Sequence, residues 1–261
     1  MNPTIIKGEG VKIGNNVRIN ISEYLKIGDR SIILDNAIIE GRHVEIGKEA
    51  VIHEHSHIGG GSCFDWQSHL EIGDFLHLGK FAHINPARKI VIGDECGLGD
   101  HTKLWGHGSY LSKYEGFPVA FDNITVGNRV WMPNAWINPG VNIGDDVVIA
   151  AFSLVNKDIP SGCLAGGVPA RILKENVYPR ELSQTEKTEF VNQISKDIQT
   201  ELLLQGDLII HNHVSGETIF DVKNRVIKGP CNLETEKTKH QLRRYGIRFK
   251  YTSIKGRYVA W

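Results

Sequence analysis

Transfer reactions near neutral pH favour imidazole, which is a free base at that pH and can still hold the proton it takes. The chain has 12 histidines, so residue type alone selects none of them. Position selects His107. It stands between Gly106 and Gly108, at the root of the run WGHGSYLSKYEGFPVAFDN, Trp105 to Asn123. That run breaks an otherwise regular pattern, and irregular excursions from a regular scaffold are where function concentrates. The flanking glycines let the backbone turn and leave the ring approachable. His107 is therefore the candidate general base. Its other ring nitrogen needs an acceptor, and Asp100, Glu115, Asp122 and the loop carbonyls are all near in sequence. A plain solvent-facing corner histidine is the competing reading. No cysteine or serine stands beside His107 in a nucleophile motif, and Ser109 reads first as a turn residue.

The other histidines read as surface. His57, His69, His77 and His83 hold the last place of their units, outward and near a corner. His57 and His77 are expected to stack one coil apart, and His101 also faces outward. Such a face could bind a metal, but it reads as a polar surface or a subunit contact, and no metal site is expected. Cys63, Cys96, Cys163 and Cys231 form no CxxC pair, so they read as reduced thiols.

The elements that must position His107 follow a period of six. Aliphatic-glycine pairs recur: Ile13-Gly14, Ile27-Gly28, Ile46-Gly47, Ile72-Gly73, Ile92-Gly93, Val126-Gly127, Ile143-Gly144. Ile27, Ile33 and Ile39 are one set; Ile52, Ile58 and Phe64 another; then Leu78 with Ile84, and Leu98 with Leu104. Small residues such as Ser31, Ala37, Ser56, Ser62, Ser68, Ala82 and Thr102 stand four positions after an aliphatic. A helix cannot keep a six-residue period on one face. A short strand plus a corner can. Three such units make a triangular coil of about 18 residues, and stacked coils bury a continuous ladder. Gly, Asn and Asp at the corners would tolerate positive φ. The expected fold is a mainly β parallel helix.

These residues resemble the hexapeptide-repeat acyltransferases, over roughly Val11 to Leu173. The most specific part is Ile124 to Leu173. It holds a Val-Trp turn (Val130-Trp131), a Pro-Gly-Val-x-Ile-Gly coil from Pro139, an Ala-x-Ser-x-Val-x-Lys-Asp-x-Pro coil from Ala151, and Gly-x-Pro-Ala-Arg ending at Arg171. The resemblance implies a left-handed β-helix and transfer of an acyl group, most simply acetyl, from acetyl-CoA to a hydroxyl or amine of a carbohydrate or nucleotide-linked sugar, as in polysaccharide or lipopolysaccharide biosynthesis. It implies His107 as base and a homotrimer with active sites between subunits. For the cofactor it implies Ala151 and Ser153 along the pantetheine arm, Lys157 and Arg171 at the phosphates and Trp131 at the thioester. A corner amide near Asn134 is the candidate oxyanion donor. Exposed Trp66, Phe75, Phe81 and Trp136 would give sticky faces for assembly. Two residues depart from the family pattern: Pro133 and Phe152 stand where it has glycine. They favour the alternative of a non-catalytic binding or assembly subunit; a zinc carbonic anhydrase-like hydratase is a further alternative.

Composition agrees with a globular enzyme: 261 residues, 41% hydrophobic, 23% charged, formal net charge zero. A basic nucleic-acid binder is disfavoured. There is no apolar run that could span a membrane, and Met1 to Gly10 lacks a signal-peptide layout. A cytoplasmic location is expected. The division is expected as 1–175, the β-helix with a loop inserted at about 105–123, and 176–261, a small α+β module. In that module Ser183 to Glu186 reads as a capping box. Phe190, Val191, Ile194, Ile198 and Leu202 follow helical spacing, with Gly206 as stop. Strands are expected at Leu208 to His211, Thr218 to Val222, Arg225 to Ile227, Ile247 to Tyr251 and Arg257 to Trp261, and a helix at about Glu234 to Tyr245. His211, His213, Arg243, Arg244 and Arg248 would suit an anionic ligand.

Overall fold

A computed structural model describes residues 2–261. The chain divides into two compact units, one ending at Pro179 and the other starting at Arg180. The first is a parallel β-solenoid of about 8 turns. Among the described residues, a 12-stranded sheet wraps two faces, because Arg18–Ile27 and Ile38–Ile46 each continue round a corner. A 9-stranded sheet makes the third face.

Three inward columns hold it together. One runs Ile27, Ile46, Ile72, Ile92, Val126, Ile143; a second Ile33, Ile52, Leu78, Leu98, Met132, Ile149; a third Ile39, Ile58, Ile84, Leu104, Ile137, Val155. All are buried in one core cluster. Ser31, Ala37, Ser56, Ala82 and Thr102 fill the tight angles between columns and are also buried.

The corner glycines serve a purpose the sequence reading did not assign. Gly28, Gly47, Gly73 and Gly93 are not at positive φ. They are small because successive coils touch there: a Cβ on Gly47 would lie 2.4 Å from the Gly73 carbonyl carbon. The left-handed residue stands two positions later and carries a side chain, as at Arg30, Glu49, Phe75 and Glu95. Its N–H bonds the preceding coil, for example Glu49 N–H to Asp29 O at 2.9 Å. That bond offsets the left-handed conformation, which costs about 1–2 kcal/mol. Between glycine and this residue, an Asp or Asn accepts from the backbone one coil down: Glu9 N–H to Asp29 Oδ1 at 2.9 Å, Asp74 N–H to Asp94 Oδ1 at 2.8 Å, Asn128 N–H to Asp145 Oδ1 at 2.6 Å.

The same ladder measures the coils. Equivalent residues are 20 apart at Glu9/Asp29, where one corner is a continuous bent strand, and at Asp74/Asp94, and 17 apart at Asn128/Asp145. They are 26 apart at Lys48/Asp74 and 34 apart at Asp94/Asn128. Two coils therefore carry insertions. The later is the excursion after Trp105. It contains a small hairpin pairing His107–Gly108 with Ala120–Phe121. The earlier, residues 59–68, interrupts the regular repeat that the spacing of Ile52, Ile58 and Phe64 predicts. Phe64 is consequently not in the core but 44% exposed, and Cys63 is buried in its place.

Other expectations also change. Phe75 is buried and not a sticky surface residue. His57 stacks on His83 at 4.5 Å, while His77 lies on another face beside His53. The histidine pairing follows from coil length, since the inserted segment sets His57 and its neighbour one coil on 26 residues apart.

The second unit is a six-stranded antiparallel sheet with helices α1 (Gln184–Ile198) and α2 (Leu233–Arg244). Val191, Ile194, Ile209, Phe220, Ile227, Leu242 and Phe249 form its core. The capping box at Ser183 and Glu186 is present. Helix α1 ends earlier than its spacing implied, at left-handed Gln199, and Leu202 opens a strand, Leu202–Gln205. Gly206 turns that strand into its neighbour. Ile247 to Tyr251 is not a strand; it is held instead by buried Phe249. His211 is also buried, against Thr238, so it cannot belong to an anion-binding surface.

The inward columns make two stability predictions. Leu98→Ala should lower unfolding free energy by about 2–5 kcal/mol. Gly47→Ala, though it adds only a methyl, should cost more than the ~1 kcal/mol of an average substitution. Chemical denaturation of both variants checks this.

Candidate active site

Both insertions leave the same corner, and His107 lies between them. The coil carrying it rises from Lys103–Trp105, which pairs with His83–Asn85 below. Gly106 is required by close approach: its N–H bonds Asn85 O at 2.9 Å, and a Cβ would sit 2.8 Å from that oxygen. Gly108 has open space around it, so the outer side of His107 is accessible.

The His107 ring stacks on Phe121 across the hairpin, centroids 5.3 Å apart. The Arg88 guanidinium lies 4.7 Å from the centre of the same Phe121 ring. On the other insertion, Gly61 leaves room for the imidazole; a Cβ there would be 3.4 Å from His107 Nε2. His107 Nδ1 is buried and has no hydrogen-bond partner among the described residues. Burial holds the His107 pKa below the ordinary imidazole value, Arg88 pushes it the same way, and the Asp65 carboxylate opposes both. The ring is therefore biased to its neutral form, the form a general base needs.

Asp65 was missed in the sequence, as was Asn85. Asn85 is buried, with Oδ1 accepting from Ala87 N–H at 3.1 Å and Nδ2 beside Gly60. The signal for Asp65 was the run Gly59-Gly60-Gly61, too flexible for a regular coil. Of the acceptors weighed for His107, Asp100 takes the Lys80 N–H at 2.8 Å on a different corner. Asp122 takes the Asn123 N–H at 2.8 Å. Glu115 is exposed in a 3₁₀ turn of the excursion.

The residues expected to meet the cofactor are spread over the solenoid. Ala151 is exposed at the corner between the Trp131 face and the Trp105 face. Ser153 is buried, its hydroxyl donating to Ala150 O at 2.6 Å and accepting from Gly167 N–H at 3.1 Å. Phe152 adopts φ 57 and points outward, 78% exposed. With Asn134, Trp136, Leu154 and Val168 it lines a shallow groove of about 290 Å³. Pro133 follows Gly99 up its column, its carbonyl packed against that glycine. Lys157 is exposed on the His107 corner, on the second coil above it. Arg171 is exposed on the last strand, Ala170–Lys174, and bonds Ala170 O at 2.9 Å. Trp131 lies on the 9-stranded face and covers Gly97. Within one chain Trp131 is thus not gathered with His107 or the groove. The groove and His107 border opposite edges of the face that carries Trp105 and Trp136.

A stacked-coil β-solenoid with one half-buried histidine at an interrupted coil defines a class of protein, and comparison gives it a family. The chain is 30% identical over 142 residues to a putative lipopolysaccharide biosynthesis O-acetyl transferase of Escherichia coli, covering 49% of this chain and 67% of that one. It is 35% identical over 115 residues to galactoside O-acetyltransferase of Escherichia coli, covering 43% and 57%. Among solved structures it is similar to a hexapeptide-repeat-containing acetyltransferase of Vibrio cholerae, with 27% identity over 58% of this chain and 73% of that chain and a TM-score of 0.38. No family model matches the chain. The chain belongs to the hexapeptide-repeat acetyltransferases. It spans less than two thirds of the length of the galactoside enzyme. The left-handed sense of its coil is that of the family. No helix among the described residues is long and apolar enough to cross a membrane.

The electrostatics of the corner give a prediction of their own. Arg88→Gln should raise the His107 pKa and Asp65→Asn should lower it. NMR titration of the His107 ring carbon in the two variants measures both shifts.

Proposed function

We propose that the protein transfers an acetyl group from acetyl-CoA to a hydroxyl or amine of a carbohydrate or nucleotide-linked sugar. The observation that carries this is His107: a neutral-biased imidazole, accessible on its Gly108 side, held at the one corner where both insertions converge. The relatives' names, galactoside and lipopolysaccharide O-acetyl transferases, support the sugar acceptor.

In the reaction His107 takes the proton of the acceptor as its oxygen or nitrogen attacks the thioester carbonyl. A tetrahedral oxyanion forms and collapses, and the C–S bond breaks. The proton held by His107 is then available to the leaving thiolate, so CoA departs as the thiol. No covalent acyl-enzyme is needed. The Ser153 hydroxyl already donates to Ala150 O and accepts from Gly167 N–H, so that coil offers CoA chiefly its groove and backbone. Lys157 and Arg171 are exposed cations suited to phosphates. Exposed Trp66 and Trp136 supply apolar surface beside the insertion and the groove. We assign the assembly as a homotrimer, in which the His107 corner of one chain faces the groove of the next; closed rotational symmetry is the usual way to cover such faces. We assign the reaction to the cytoplasm, where CoA thioesters are made.

Thiol release from acetyl-CoA with a panel of free glycans and nucleotide-linked amino sugars tests the reading. His107→Ala should lower kcat by about 10²–10⁴-fold, with CoA affinity retained. In the wild type the acid limb of the pH profile should fall below the ordinary imidazole pKa, since a depressed pKa keeps the base unprotonated to lower pH. Absence of CoA binding would sink the proposal.

A further inference from the structure

Coil stacking brings together side chains that are far apart in sequence. On the outer side of the face that carries the first inward column, the register pairs Glu45 with Glu71 and Lys89 with His69. Two outward columns result. One runs Tyr24, His43, His69, Lys89; the other runs Lys26, Glu45, Glu71. Two histidines and two glutamates therefore occupy adjacent places on a rigid sheet. Tyr24, His43 and His69 stack, with centroids 4.6 Å and 4.0 Å apart.

We propose that His43, Glu45 and His69 form a binding site for a zinc-class divalent transition-metal ion, separate from the His107 corner. One nitrogen of each imidazole and one Glu45 oxygen lie within 4.8 Å of one another, the one such group of three among the described residues. Zinc bonds of about 2.0–2.2 Å place tetrahedral ligands roughly 3.3–3.6 Å apart. Side-chain torsions alone close that gap, because strand pairing fixes the backbones. His43 Nε2 already sits 3.0 Å from Glu45 Oε1. His69 Nε2 is buried and lies 2.9 Å from Glu71 Oε1, a carboxylate that also holds Lys89. Imidazole with carboxylate selects zinc and its neighbours over calcium or magnesium, which prefer all-oxygen sites. The flanking cations have partners: Lys89 holds Glu71 at 2.8 Å and Arg42 holds Glu23 at 2.5 Å. Two histidines and one glutamate leave a fourth position for water. The ion would bridge two neighbouring coils.

Calorimetric titration of the full chain with zinc chloride, after chelator treatment, tests the site. The same samples are followed by thermal unfolding and by the visible absorption of bound cobalt. One equivalent should bind, zinc should raise the Tm, and cobalt should give a tetrahedral spectrum. All three should be lost in His43→Ala/His69→Ala, and Glu45→Gln should weaken binding at least tenfold. His57→Ala/His83→Ala, which removes the other stacked pair, should bind as the wild type does. Undiminished binding in the first double variant, equal loss in the second, or no stoichiometric binding at all would each overturn the proposal. All three ligands face outward, so chelated variants should melt as the wild type does. Should the double variant misfold, Glu45→Gln and its cobalt spectrum decide the matter.

Discussion

The distance between coils governs this protein. Parallel strands sit about 4.8 Å apart, and every coil must present the same kind of group at the same place as the coil beneath. Inside, that means an aliphatic over an aliphatic. At the corners it means glycine over glycine, where the backbones leave no room for a Cβ. Beside most of these glycines it means a side-chain acceptor over a backbone donor. Outside, the constraint is only that neighbours tolerate one another, so ring stacks and charge pairs arise there, such as His55 on Phe81 on His101.

Against such a repeat, chemistry needs a break. The 59–68 and 105–123 insertions are the departures, and both leave from one corner. A regular coil would hold His107 as one more exposed side chain. The hairpin folds Phe121 against it, and the other insertion brings Gly61 and Asp65 to it. Burial then depresses the basicity of the ring while its outer side stays open. The scaffold supplies rigidity and the insertions supply the environment.

The position of Phe152 shows how family pattern and physics interact. The corner requires a left-handed residue, and glycine meets that demand most cheaply. This chain uses phenylalanine at φ 57, as it uses phenylalanine and histidine at Phe81 and His101. The Phe152 side chain is exposed, so the substitution changes the groove wall and not the packing. The wall is consequently apolar, with Trp136 and Val168 also exposed.

The sequence by itself determined the solenoid, because an inward aliphatic must recur once per strand-and-corner and no helix allows that period. It determined His107 as the residue to watch, because the period fails there. It also determined the capping box at Ser183, a purely local pattern. Only the tertiary structure decided which residues neighbour one another across coils. Coil lengths of 20, 26, 34 and 17 residues cannot be added up without knowing where each insertion begins. Hence His57 was matched with His77 where His83 is its true neighbour, Phe64 was given a core place that Cys63 holds, and Asp65 and Asn85 went unnoticed beside His107. Local sequence sets which side of a strand a residue faces. The accumulated length of everything before it sets what stands next to it.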